Sequence, residues 1–192
     1  MSSPSLFHVN GYQILRSVIP SKIVESLLEH ALTMAHQPEL AAGDKQVPGT
    51  PAVYADPRME LLLARLTPIV EAEAGVTVYP TYSYFRVYKK GDRLKKHKDR
   101  PSCEISVSLS LGYDPDEPWP LWVEGSSGAT ELRMTRGDAV LYKGTEVAHW
   151  REEFQGNYAA QVFLHYVDQQ GPYREWRFDK REAALNQSTV KG

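Results

Sequence analysis

The feature that most constrains this chain is a change of hydrophobic period near residue 76. Upstream, apolar residues recur at helical spacing; downstream they alternate, in short β-branched and aromatic runs broken by glycine, proline and charge. Two helices are predicted in the first part. One runs from about Ser21, as N-cap, to Ala35, with Ile23, Val24, Leu27, Leu28 and Ala31 on one face. The other opens at Asp56-Pro57, carries Leu61, Leu62, Ala64, Leu66 and Val70, is kinked at Pro68 and stops at Gly75. Between them QVPGTPAVYADP reads as a surface loop. Strands are predicted over 76–79, 81–88, 104–111, 120–124, 129–134, 138–143, 147–152 and 158–167. No helical crossover separates them, so they belong to an antiparallel sandwich or barrel: a mainly β fold with the helices packed outside.

With 192 residues, 42% of them hydrophobic, the chain can bury one core. It reads as one domain, with a mostly helical flank (1–75), a β core (76–168) and a C-terminal tail (169–192) whose last stretch, REAALNQSTVKG, is expected to fray. The single cysteine excludes an internal disulfide, and MSSPSLFHVN lacks the basic and apolar stretches of a secretory signal, so a cytoplasmic location is expected. No run of about eighteen apolar residues suggests a membrane span. A formal charge of −2 gives no general reason to expect nucleic acid as a partner.

The residues that carry chemistry are His97-Lys98-Asp99 and, 50 positions beyond Asp99, His149. Two neutral imidazoles and one carboxylate suit a divalent first-row metal and leave coordination positions open. If 97–99 is a strand, residues i and i+2 share a face, so His97 and Asp99 can grip one ion while Lys98 points away. The H-x-D pattern alone is weak; here it follows an aromatic strand and a glycine turn, with the third ligand in another strand-like stretch, VAHWRE. His8, His30 and His36 fall in the helical flank and are given no role.

From Tyr82 to Val167 the chain resembles the 2-oxoglutarate- and iron(II)-dependent dioxygenases, especially the prolyl-hydroxylase-like and phytanoyl-hydroxylase-like branches; NGYQILRSVIP is similar to the opening of such enzymes. The resemblance implies a double-stranded β-helix, or jelly roll, with His97, Asp99 and His149 as iron ligands and catalytic residues, 2-oxoglutarate and O2 as co-substrates, and hydroxylation of a C–H bond with release of succinate and CO2. A carboxylate at Asp99 argues against halogenation. The chain departs from the family where an Arg or Lys is expected nine to eleven residues after the distal His: Tyr158, Ala159 and Ala160 stand there. A dianion in a dry cavity needs a cationic partner. Arg151, two residues beyond His149, is the first candidate; Arg86 is the second, because Tyr82, Tyr84, Arg86 and Tyr88 share one strand face. Tyr88 matches a family position that binds 2-oxoglutarate, and Lys143 and Gln161 complete the candidate set.

Between Arg86 and Arg100 stand eight Lys or Arg against two Asp, which can form either a funnel for anions or a solvated turn. Trp119-Pro120-Leu121-Trp122 can line a pocket or pack a core, and Cys103 reads as a buried filler. Two other readings stay open: a cupin-type metal enzyme that does not use 2-oxoglutarate, and a non-catalytic β-sandwich binding module. The sequence leaves the substrate open between a small molecule and a side chain, and it leaves the oligomeric state open.

Overall fold

The computed structural model describes residues 5–114, 117–125 and 128–181. The elements in chain order are α1 (Leu6–Asn10), β1 (Tyr12–Leu15), α2 (Ser21–Ala35), β2 (Ala52–Tyr54), α3 (Pro57–Ala74), β3 (Val78–Lys89), β4 (Leu94–His97), β5 (Ile105–Asp114), β6 (Leu121–Gly125), β7 (Gly128–Leu132), β8 (Ala139–Lys143), β9 (Ala148–Arg151), β10 (Tyr158–Asp168) and a 3-10 segment, Arg174–Lys180. Among the described residues no helix is long and apolar enough to cross a membrane.

Two antiparallel sheets face each other. The larger has the order β1-β8-β5-β10-β3-β2 and the smaller β4-β9-β6-β7. Twofold alternation gives the large sheet two different faces. Phe85, Val87, Val107, Leu109, Leu141, Val162 and Leu164 point outward and bury the apolar stripes of α2 and α3. The residues between them, including Tyr82, Tyr88, Tyr142, Phe163 and His165, point toward the small sheet and line the space between the sheets. That is the antiparallel arrangement expected from the strand pattern, in the jelly-roll form that the family resemblance implies, with the helices outside.

Helix α3 forms where its sequence signals place it. The Asp56 carboxylate accepts from the Arg58 and Met59 N–H groups at 3.0 and 3.2 Å, and Gly75 ends the helix at φ 67°, a conformation that costs a β-carbon but not glycine. The helix continues without interruption through Pro68. The start of α2 differs from expectation: Pro20 holds the cap position, no side chain caps the helix, and Ser21 is its first residue.

The sheets also differ in detail. The two strands expected over 76–79 and 81–88 are one strand, Val78–Lys89, because the chain passes through Pro80 with a register shift opposite His165 and Tyr166 that accommodates a residue lacking an N–H. Three short strands join the predicted set. β1 and β4 have four residues each, and β2, three residues inside the expected loop, pairs with the edge of β3 after Pro51. The segment after β10 is tied down as far as Arg181: Arg100 and the Tyr54 hydroxyl donate to Asp179, and Arg181 donates to Glu60 and to the Thr81 carbonyl. The rest of the stretch expected to fray lies outside the described residues.

Candidate metal centre

β4 and β9 are antiparallel neighbours at one edge of the small sheet, and His97 stands directly opposite His149 in their register. Their rings are 4.3 Å apart between centroids. Asp99 is not on the same strand as His97, contrary to the parity argument: β4 ends at His97, and Asp99 is held in the following loop by its N–H, which donates to the Gly144 carbonyl at 2.8 Å. Its carboxylate nevertheless arrives between the two rings, with Oδ1 3.4 Å from His97 Nε2 and 3.5 Å from His149 Nε2. The ligand atoms of the three residues all lie within 4.8 Å of one another. Donors at about 2.1 Å from one metal, at right angles, lie about 3 Å apart, so little movement separates this arrangement from a three-ligand site.

The tautomers also suit a metal. His97 Nδ1 is 2.8 Å from the Lys95 carbonyl and His149 Nδ1 is 3.1 Å from the Val147 carbonyl. A carbonyl only accepts, so each Nδ1 carries the proton and each Nε2 presents a lone pair. Burial works against charge on Asp99, but His149 and His97 outweigh it, since in their protonated form each ring also carries a hydrogen on Nε2 that it donates to the carboxylate; this holds the carboxyl well below the usual range, so it is ionised, and a metal would take the place of those Nε2 hydrogens.

The three residues open on a cavity of about 340 Å³, also lined by Asp44, Tyr82, Tyr84, Tyr88, Tyr142 and Phe163. Sequence reasoning missed several neighbours. Asp44 and Gln46 come from the loop before β2, about fifty residues away in the chain, and the Gln46 amide lies 2.9 Å from His97 Nε2. His165 shares the inner face of β10 with Gln161 and Phe163, a parity the sequence does carry. Cys103 lies behind Asp99, its thiol pushed up to about 12 by burial and by the Asp99 charge, and it shares a hydrogen bond with the Tyr82 hydroxyl.

Neither a protein-family model nor a curated protein matches the sequence. Solved structures do. A Pseudomonas putida prolyl-4-hydroxylase superposes with a TM-score of 0.68 at 18% identity, over 84% of this chain and 95% of its own. The non-heme alpha-ketoglutarate-dependent epimerase SnoN from nogalamycin biosynthesis gives 0.72 at 13%, over 84% and 78%. EctD from S. alaskensis with bound Fe gives 0.67 at 18%, over 91% and 81%. The fold is that of the 2-oxoglutarate- and iron(II)-dependent oxygenases.

Within this oxygenase fold the anchor candidates separate. Arg151 is 1% exposed; it donates to the Trp119 carbonyl and to Gln161 Oε1, and its Nε has no partner among the described residues. Burial lowers its pKa to about 10, and the groups that oppose this are the phenols of Tyr88 and Tyr142, not a carboxylate. Arg86, equally buried, does have a carboxylate partner, Asp44, while its Nε and Nη1 have none. Tyr88 lines the cavity and feels both guanidinium charges. Lys143 is a correction: Tyr142 points into the cavity, so the next residue points out, and Lys143 pairs with Glu146 at the surface. The tryptophans follow the packing alternative. Trp119 packs on Tyr88, Phe154 and Arg151, and Trp122 stacks on Trp150 on the outer face, so neither lines the cavity. Of the basic run, Lys98 and Arg100 line the cavity, Arg86 is buried behind it, and Arg93 and Lys96 make surface pairs with Glu152 and Glu124.

Proposed function

We propose that the chain is an iron(II)- and 2-oxoglutarate-dependent oxygenase that hydroxylates a C–H bond of a small molecule or a single side chain. One observation carries the reading: two imidazole Nε2 atoms and one carboxylate oxygen converge at the wall of a cavity in this fold, and two residues beyond His149 on β9 stands a buried guanidinium with no carboxylate partner among the described residues. A cavity of about 340 Å³ must hold the co-substrate and the reacting part of the substrate, which favours a small target over a polymer segment.

His97, Asp99 and His149 would hold the iron, which when bound supplies the oxidising power drawn from O2 and 2-oxoglutarate. The chain's own residues do the rest. The Lys95 and Val147 carbonyls fix the two imidazole tautomers. Arg151 does not itself line the cavity in the absence of ligand; it would hold the far carboxylate of 2-oxoglutarate where Tyr88, which does line the cavity, yields access to it, and would gain the anion its burial otherwise lacks. Tyr82, Tyr142 and Phe163 exclude water from the inner wall. Gln46 must leave His97 Nε2 when a metal takes that lone pair, because one lone pair cannot serve both.

The test is turnover of the co-substrate. Protein freed of metal, then given iron(II), 2-oxoglutarate and air, is expected to release succinate at a slow rate even without its substrate; omission of either addition is expected to stop release. Stoichiometric iron with no succinate would instead favour a metal enzyme that does not use the oxo acid, and no iron binding would leave only a binding module.

A further inference from the structure

Asp99 presents its two oxygens to different surroundings. Oδ1 faces His97 and His149, whereas Oδ2 faces inward, 3.3 Å from the hydroxyl of Ser106. Ser106 is fully buried on β5 and stands opposite His165 in the β5–β10 register. Its Oγ lies 2.8 Å from His165 Nδ1 and 3.0 Å from the Cys103 carbonyl. A hydroxyl has one proton to give and can accept. When His165 donates from Nδ1, the serine oxygen is occupied on that side and its proton is directed to the two acceptors opposite, the Cys103 carbonyl and Asp99 Oδ2.

A second observation points the same way. A β-carbon at Gly144 would lie 2.6 Å from Asp99 Oδ2, 2.9 Å from Ser106 Oγ and 2.1 Å from the Cys103 carbonyl. The Gly144 backbone is thus pressed against the rear of the carboxylate, and its carbonyl accepts from the Asp99 N–H. Oδ2 is enclosed by a hydroxyl on one side and by main chain on the other.

We infer that Ser106 and His165 are positioning residues, which fix the rear oxygen of Asp99 so that a single oxygen is offered to the metal and the opposite coordination positions stay free for co-substrates. The inference rests on the proposed role of His97, Asp99 and His149 in holding the metal. Partners of this kind orient ligands that are otherwise free to rotate, and their loss costs metal affinity by about 10–100-fold.

Cobalt(II) tests this without any need for turnover. The full-length wild-type protein, Ser106→Ala, His165→Phe and His165→Asn would be titrated with cobalt(II), followed by calorimetry and by the visible d–d absorption of the bound ion. Ser106→Ala and His165→Phe are each expected to weaken cobalt binding by about 10–100-fold and to change the d–d envelope as the carboxylate turns. His165→Phe keeps the ring that packs on Tyr82 at 4.6 Å, so a purely packing role predicts no change from it. His165→Asn restores an N–H near the position of Nδ1 and is expected to recover most of the affinity. Ser106→Ala removes one atom and carries the test should His165→Phe fail to fold. Wild-type affinity and spectrum in Ser106→Ala would overturn the inference, as would His165→Asn binding no better than His165→Phe. Wild-type protein that binds no cobalt would overturn the metal-centre reading itself, a result distinct from either.

Discussion

Replacement of His149 by alanine is expected to weaken iron(II) or cobalt(II) binding by more than about a hundredfold, since loss of an outer partner alone costs about 10–100-fold, and to stop succinate release. His149 is 3% exposed, and its ring sits between those of His97 and Tyr142, with centroids 4.3 and 4.7 Å away. Its removal leaves one imidazole and one carboxylate, too few to hold a labile divalent ion against water. It also leaves a hole where the ring stood, so His149→Gln, which keeps most of the volume, separates loss of a ligand from loss of packing. Metal content per chain after dialysis, beside a thermal melt, reads both. Retention of one tightly held metal by His149→Ala would show that the ion sits elsewhere.

The second large effect is expected at Arg151. A hydrogen bond to a charged partner contributes about 1.5–3 kcal/mol, so Arg151→Met is expected to raise the 2-oxoglutarate concentration for half-maximal succinate release by roughly 10–150-fold. Cobalt affinity should stay within about twofold, because Arg151 makes no contact with the three ligand residues among its hydrogen bonds. Stability should move in the opposite sense from most core substitutions. A buried guanidinium with no carboxylate beside it is costly in the absence of ligand, so the co-substrate-free variant is expected to melt no lower than wild type, while 2-oxoglutarate should raise the melting temperature of wild type alone. An unchanged 2-oxoglutarate requirement would transfer the anchor to Arg86, whose charge Asp44 already meets.

The legible parts of the structure are those set by local rules. The span of α3 follows from a cap at Asp56 and a glycine at position 75, and the two faces of the large sheet follow from twofold alternation. The same alternation separates Tyr142, which points inward, from Lys143, which does not, so parity alone removes Lys143 from the candidate anchors. Strand alternation does not join Asp99 to His97, because β4 ends at His97. The two side chains come together because the loop after β4 folds back onto Gly144, a contact between distant segments that no local period records. Asp44 and Gln46 were hidden for the same reason: they reach the cavity from the loop before β2, and only the pairing of Asp44 with Arg86 and Tyr84 reveals why that loop lies where it does. Ser106, Ser108 and Ser110 carried a signal that can be read in retrospect, since hydroxyls at every second position of a strand whose other face is apolar point to a polar interior between two sheets.

Anaerobic addition of 2-oxoglutarate to the iron(II)-loaded protein tests the central claim most directly. An oxo acid joined to iron(II) gives a visible charge-transfer band; the expected result is a band that saturates at one equivalent of 2-oxoglutarate per chain and is absent from His149→Ala. One iron bound per wild-type chain with no such band at any 2-oxoglutarate concentration would contradict the account.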